Sequence, residues 1–282
     1  MKKQLISMVL MAAMTVSMLT GCKTADGKKA EAPSSGNQAA AEAKTEDEEK
    51  ASEGGEDYSY HWKLATTESS DYYMTQLSQE FLDIVEEKTG GKVTGEVFAS
   101  GQLGGLVDAL EGLEMGNIDI VMDGVSSLSA VDDIFNVWCL PFLYDNKEHQ
   151  YRFWDNHFDE VSDMVAEQSG FRLVSVIDGM NRELASTVPV ESMADLKGLK
   201  IRVPNIPGYV RIWECLGAAP IPMSLSEVYT SIQTGVVQGQ ENDIALTLSL
   251  KFYEVAPYCV MTDHVAYEGS FYFNEEEYQS YP

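Results

Sequence analysis

The hydrophobic pattern changes character along the chain. Residues 5–19 are mostly apolar, residues 23–57 contain almost no branched apolar or aromatic side chains, and from 58 onward apolar positions recur with the periods of folded structure. A period of two marks strands and a period near 3.6 marks helices. HWKLAT reads as a first strand. Residues 71–88 read as a helix with Met74, Leu77, Phe81, Leu82, Ile84 and Val85 on its apolar stripe, ended by Gly90-Gly91. Residues 92–98 alternate as a second strand, SGQLGG opens a helix over 103–115, and 118–122 form a third strand. WCLPFLYDN is an apolar loop, 147–168 a helix and 171–177 a strand. Alternation of β and α predicts a parallel sheet.

The most informative stretch is 195–242. Leu199, Ile201 and Val203 alternate with Lys200 and Arg202, between Gly198 and Pro204. This predicts a strand with Arg202 near its C-terminal end, the place where ligands bind in open α/β sheets. The planar fork of Arg suits a carboxylate. An ordinary ion pair with a surface acid stays open on spacing alone. Ser224 and Glu227 have capping-box spacing, and Leu225, Val228, Tyr229 and Ile232 form a helical stripe closed by Gly235. GVVQGQEN reads as a polar turn, a ligand-facing segment or a hinge.

The chain has 45 acidic and 19 basic residues, a net charge of −26, which argues against nucleic-acid binding. An anion site must then rest on local cations, and there are five arginines: Arg152, Arg172, Arg182, Arg202 and Arg211. Lys2 and Lys3 precede the apolar run, and Leu19-Thr20-Gly21-Cys22 forms a lipobox, which predicts a lipoprotein signal over 1–22 and a lipid anchor on Cys22. Residues 23–57 read as a flexible acidic tether. Cys139, Cys215 and Cys259 lack metal-ligand spacing and read as small buried apolar residues. The histidines His61, His149, His157 and His264 share no metal spacing either, and His264 reads as structural. Tyr58, Tyr60, Tyr72 and Tyr73 line a cleft or cover the core edge.

DLKGLKIRVP, LGAAPIPMSLSEVYTSIQTGVVQGQEN and KFYEVAPYCVMTDH, together with GQLGGLVDALEGLEMGNIDI, resemble the solute-binding subunits of tripartite ATP-independent periplasmic (TRAP) transporters. The resemblance runs over about 60–274. It implies an α/β, two-domain periplasmic-binding-protein-like fold with a hinge and a central cleft. Domain I would cover 58–178 plus 265–282, and domain II 179–264. It implies Arg202 as the main carboxylate-binding residue, Arg182 as a second cleft arginine, and Asn205 and Asn242 as hydrogen-bonding cleft residues. Leu225 falls where an aromatic wall is common. Thr66, Thr67, Glu68, Asp123 and Gly124 fall at strand ends that line the cleft. Gln238 replaces a common aspartate. The chain stops at Pro282, where relatives continue into C-terminal helices, so a truncated chain or fragment is expected.

Glu241, beside Asn242, is expected among the ligand-binding residues too; no catalytic constellation accompanies them, since Glu241 could serve as a base but has no nucleophile near it in sequence. The expectation is therefore no enzyme and no cofactor or metal. The resemblance, with the lipobox, implies an extracytoplasmic lipoprotein that captures a small organic carboxylate and passes it to TRAP membrane permease subunits. A sensor module on the same scaffold is the alternative. Two arginines fit a C4-dicarboxylate. One arginine with asparagines and Leu225 fits a uronate or other sugar acid, which is slightly favoured.

Overall fold

A computed structural model describes residues 58–282. The expected signal, the Cys22 anchor and the tether lie outside the described residues. In chain order the elements are β1 (Tyr60–Ala65), α1 (Tyr73–Lys88), β2 (Val93–Phe98), α2 (Leu106–Glu114), β3 (Ile120–Gly124), α3 (Lys147–Ser169), β4 (Phe171–Leu173) and β5 (Ile177–Asp178). Then come β6 (Arg182–Ser186), β7 (Lys200–Val203), α4 (Pro207–Cys215), β8 (Ala219–Pro222), α5 (Val228–Gln233) and β9 (Gly239–Asn242). The series ends with α6 (Ile244–Ser249), β10 (Tyr258–Val265), β11 (Glu268–Asn274) and α7 (Glu275–Ser280).

The strands form two sheets. The first has the order β2-β1-β3-β11-β4, with β5 also paired to β11; the second has the order β10-β6-β9-β7-β8. β1 is parallel to β2 and β3, as alternation of β and α predicts. β11, however, runs antiparallel to β3, β4 and β5, so the sheet is mixed. β3 (IVMDG) is buried along its length, as a strand covered on both faces should be. Period two then divides the residues: Ala65 and Val121 join a core with Leu128, Trp138, Trp154 and Tyr272, while Leu64 and Met122 join one with Met74, Leu82 and Phe273. In the second sheet, Ile201 and Val203 pack with Tyr209 and Trp213 of α4, and Ala185 packs with Val228 and Ile232 of α5.

The chain passes from the first sheet to the second between Asp178 and Arg182 and returns between Val265 and Glu268. The crossings touch, with Gly179 N donating to Tyr267 O at 3.0 Å.

Several expectations are corrected. The segment 171–177 splits into β4 and β5. The helix expected from Leu225 begins as a 3-10 turn (Leu225–Glu227) before α5, and Ser224 N donates to Glu227 Oε2 at 3.1 Å. GVVQGQEN is not a turn: its last four residues are β9, fully buried between β6 and β7. Its polar side chains hid it. Gln240 bonds Thr247 Oγ1 at 3.1 Å, Glu241 is ion-paired, and Gly239 lies where a Cβ would sit 2.6 Å from Ala185 O. Of the three cysteines among the described residues, all free, only Cys139 is buried; Cys215 and Cys259 are exposed.

Candidate functional site

The ends of β1, β3, β6, β7 and β9 surround one cavity, which lies between the two sheets. Of the expected residues, Thr67, Glu68, Asp123, Arg182, Arg202, Asn205, Leu225 and Asn242 line it. Tyr209, Tyr267, Ser126, Ser127 and Met223 line it too and were not anticipated. Tyr209 sits in α4 behind Pro207, a helix-start signal that could have been read; Tyr267 lies in a crossing with no periodic pattern to mark it.

β7 places Lys200 in solvent and turns Arg202 inward, where it is 3% exposed. Nε and Nη2 of Arg202 both donate to the Met223 carbonyl, at 3.0 and 2.9 Å. Among the described residues no carboxylate lies within salt-bridge distance of it, so the surface ion pair left open by spacing is excluded. Burial pushes its pKa down to about 10. It stays charged at neutral pH, and a buried unpaired ion costs several kcal/mol. This is where an incoming anion gains most.

Arg182 has another arrangement. Its Nε and Nη2 form a fork on Glu241 Oε2 and Oε1, at 2.6 and 2.9 Å, and Nη2 also reaches Glu241 O at 3.0 Å. Its guanidinium lies 4.7 Å from the Tyr209 ring centroid and 5.6 Å from that of Tyr267. Burial alone would lower its pKa, but the Glu241 carboxylate holds it well above the ordinary value. Glu241, which burial would raise, is held below the usual range by Arg182 and by His264, whose Nε2 is 3.3 Å away. Arg182, a second cleft arginine expected to hold a ligand carboxylate or hydroxyl, thus already carries one of the protein's own acids. Glu241 does not line the cavity; it is a counter-ion beneath it. Gly124 does not line it either. A Cβ there would meet the Tyr267 ring at 2.3 Å, so Gly124 is the space that lets Tyr267 close the wall.

The acids stand on the first-sheet side. Asp123 Oδ1 accepts from Ser127 Oγ at 2.6 Å and Gly124 N at 2.7 Å, yet burial still raises its carboxyl. Glu68 Oε1 accepts from the Tyr267 hydroxyl at 3.1 Å. Burial, then Asp123 and Asp243, hold Glu68 well above the usual range. Thr66 lies just behind, its Oγ1 accepting from Glu68 N at 3.2 Å. Asn242 is buried and Asn205 is exposed at the rim. The glycine loop contributes Ser100, Gly101, Gly104, Gly105 and Leu106, but Gly105 N at the start of α2 already donates to Asp108 Oδ2 at 2.8 Å. The helix end thus carries its own anion.

Residues 64–282 match the family described as bacterial extracellular solute-binding protein, family 7 (DctP). The chain belongs to this family. It is a family of solute-binding proteins, not of enzymes, and the TRAP resemblance read from the sequence holds. A curated member, a solute-binding protein of Roseobacter denitrificans, is 37% identical over 178 residues, 63% of this chain and 54% of that one. The DctP-family chain spans 54 to 62% of the length of the first curated relatives it matches. Solved TRAP periplasmic solute-binding proteins share the fold. One from Sulfitobacter, with bound β-D-galacturonate, has a TM-score of 0.75 at 29% identity, covering 79% of this chain and 74% of that one. One from Roseobacter denitrificans, with bound L-galactonate, has a TM-score of 0.75 at 30% identity, covering 80% and 75%.

Proposed function

We propose that this DctP-family chain is the extracytoplasmic solute-binding lipoprotein of a TRAP transporter, anchored through Cys22, which captures an organic acid anion and delivers it to membrane permease subunits. The observation that carries the reading is Arg202: a guanidinium buried at a cavity wall, with a backbone carbonyl as its only protein hydrogen-bond acceptor among the described residues. In this reading Arg202 takes the ligand carboxylate, while Asn242 and Asn205 bond its hydroxyl or carbonyl groups and Leu225 packs on its carbon skeleton. The paired crossings at 179–181 and 266–267 are the hinge between a domain of 58–178 plus 265–282 and one of 179–264. Closure removes water and strengthens the pair. Relatives with bound galacturonate and galactonate support a sugar acid as ligand.

A thermal-shift screen of organic acids, followed by calorimetry of the best ligand on Arg202→Ala, tests it. Removing one partner of a buried charge pair costs about 2–5 kcal/mol, so affinity should fall by that amount. Unchanged affinity discards Arg202 as the carboxylate site.

A further inference from the structure

The cavity is divided by charge. Glu68 and Asp123 come from the first sheet side, after β1 and at the end of β3; Arg182 and Arg202 come from β6 and β7 of the second. On the acidic side Asp123 has Ser127 and Gly124 as donors. Glu68 is only half served. It is 3% exposed, Oε1 takes the Tyr267 hydroxyl, and Oε2 is buried with no hydrogen-bond partner among the described residues. A buried polar atom left unpaired is costly, and native proteins rarely leave one without a reason. Arg182, the cation that acts on Glu68, is already neutralised by its fork on Glu241. The acidic side therefore offers no cation to a second anion.

We propose that Glu68 Oε2 is the partner of a ligand hydroxyl, so that the cavity selects hydroxylated monocarboxylates and rejects dicarboxylates of the same length. This rests on the reading of Arg202 as the carboxylate site. With one end of the ligand fixed there, the other end faces Glu68 and Asp123. A hydroxyl both donates and accepts, so it satisfies Oε2 whichever way the Glu68 proton is set. A second carboxylate must bury its charge beside Asp123 without a counter-ion. The burial that chiefly pushes the Glu68 carboxyl upward, and the Asp123 and Asp243 charges that add to it, act on that charge too. Sites built around a hydroxyl discriminate strongly because the wrong ligand leaves their own buried groups unpaired.

Galactonate and galactarate isolate the question, since they share a hexose carbon chain and differ at one end, hydroxymethyl against carboxylate. Calorimetry on the wild-type chain should show galactonate bound about 100-fold more tightly or better, because like charges brought together in a buried site are strongly disfavoured. Glu68→Gln, nearly isosteric, should shrink that ratio to below about tenfold, because its amide N–H gives a second carboxylate a fixed donor where the wild type has an acid oxygen. Equal affinities or a preference for galactarate in the wild type overturn the proposal, as does a ratio unmoved in a folded Glu68→Gln variant. A variant that fails to fold leaves the wild-type ratio to decide. If no organic acid binds the wild type, the Arg202 reading falls and this one with it. If acids bind, Arg202→Ala abolishes binding and the ratio fails, only the role of Glu68 falls.

Discussion

Arg182 and Arg202 stand on strands that flank β9, both buried, both facing one cavity. Only Arg182 has a counter-charge. Glu241 of β9 closes its fork from below, whereas Arg202 reaches only the Met223 carbonyl. The difference appears in their acidities. Burial lowers Arg202 to about 10, while Arg182, equally buried, is held well above its ordinary value by Glu241. A buried cation can thus be settled in two ways, by an acid of its own chain or by one that arrives. The first builds the sheet and the second builds a site.

The strongest way to break this contrast is to remove one acid. Glu241→Gln leaves Arg182 buried and unpaired, with His264 also losing its neighbour, and should cost about 3–5 kcal/mol in denaturant unfolding. Replacing both members, Arg182→Met with Glu241→Leu, should recover much of that loss, since apolar pairs of similar volume often match buried ion pairs. Arg202→Met orphans no acid, so stability should stay level or rise while ligand affinity collapses. If Arg202→Met unfolds as readily as Glu241→Gln, the second arginine is a structural cation too and the distinction is gone.

A smaller effect separates the walls by pH. Glu68, Asp123 and Asp243 are all raised, chiefly by burial. Groups raised in the folded state contribute stability below their unfolded pKa, near 4, and that contribution is lost as pH rises through the folded value. Glu241 is lowered, so its contribution is present above the unfolded value and lost as pH falls through the folded one. Melting temperature should therefore rise as pH falls from neutral into the mildly acidic range, and drop again below the carboxylate range. The whole chain is strongly acidic and its self-repulsion eases in the same direction. Glu68→Gln isolates the cavity's share: it should flatten the slope relative to the wild type. Parallel slopes would remove Glu68 from the effect and leave it to Asp123, Asp243 and the surface charge.

How far all this could be read from the sequence follows from burial. The strand carrying Arg202 was legible because apolar neighbours alternate around it. So was α1, with its apolar stripe from Met74 to Val85. β9 was not, because its buried positions are filled by polar side chains: Glu241 is met by Arg182 far back in the chain, Gln240 by Thr247 of the following helix, and Asn242 by the adjacent Asp243 N–H, so no apolar alternation marks the strand. The counter-ion of Arg182 was hidden in the same way: Arg182 lines the cavity as the resemblance implies, but the acid paired with it lies on β9, whose polar sequence did not read as a strand. Tyr267 and the oxygens of Glu68 are set by contacts between the two sheets, which no local pattern carries.

The smallest expected effect concerns an ion pair of the opposite kind. At the first crossing Lys147 Nζ meets Asp178 Oδ1 at 2.7 Å, and the Tyr151 hydroxyl donates to Oδ2 at 2.7 Å. The distances rival those of the Arg182 pair, yet these side chains are 37% and 48% exposed against 5% and 0%. Water competes for both charges, and Lys147 keeps a second acceptor in the Gly179 carbonyl. Asp178→Asn keeps one acceptor oxygen and turns the other into an NH2, so one of the two donors must turn to water; at this exposure the change should cost only about 0–1 kcal/mol, shrinking further with added salt. Denaturant unfolding at low and high ionic strength reads this directly. A salt-independent loss approaching that of Glu241→Gln would mean that contact geometry, not exclusion of water, sets the strength of pairs in this chain. The contrast between its two buried arginines would then need another cause.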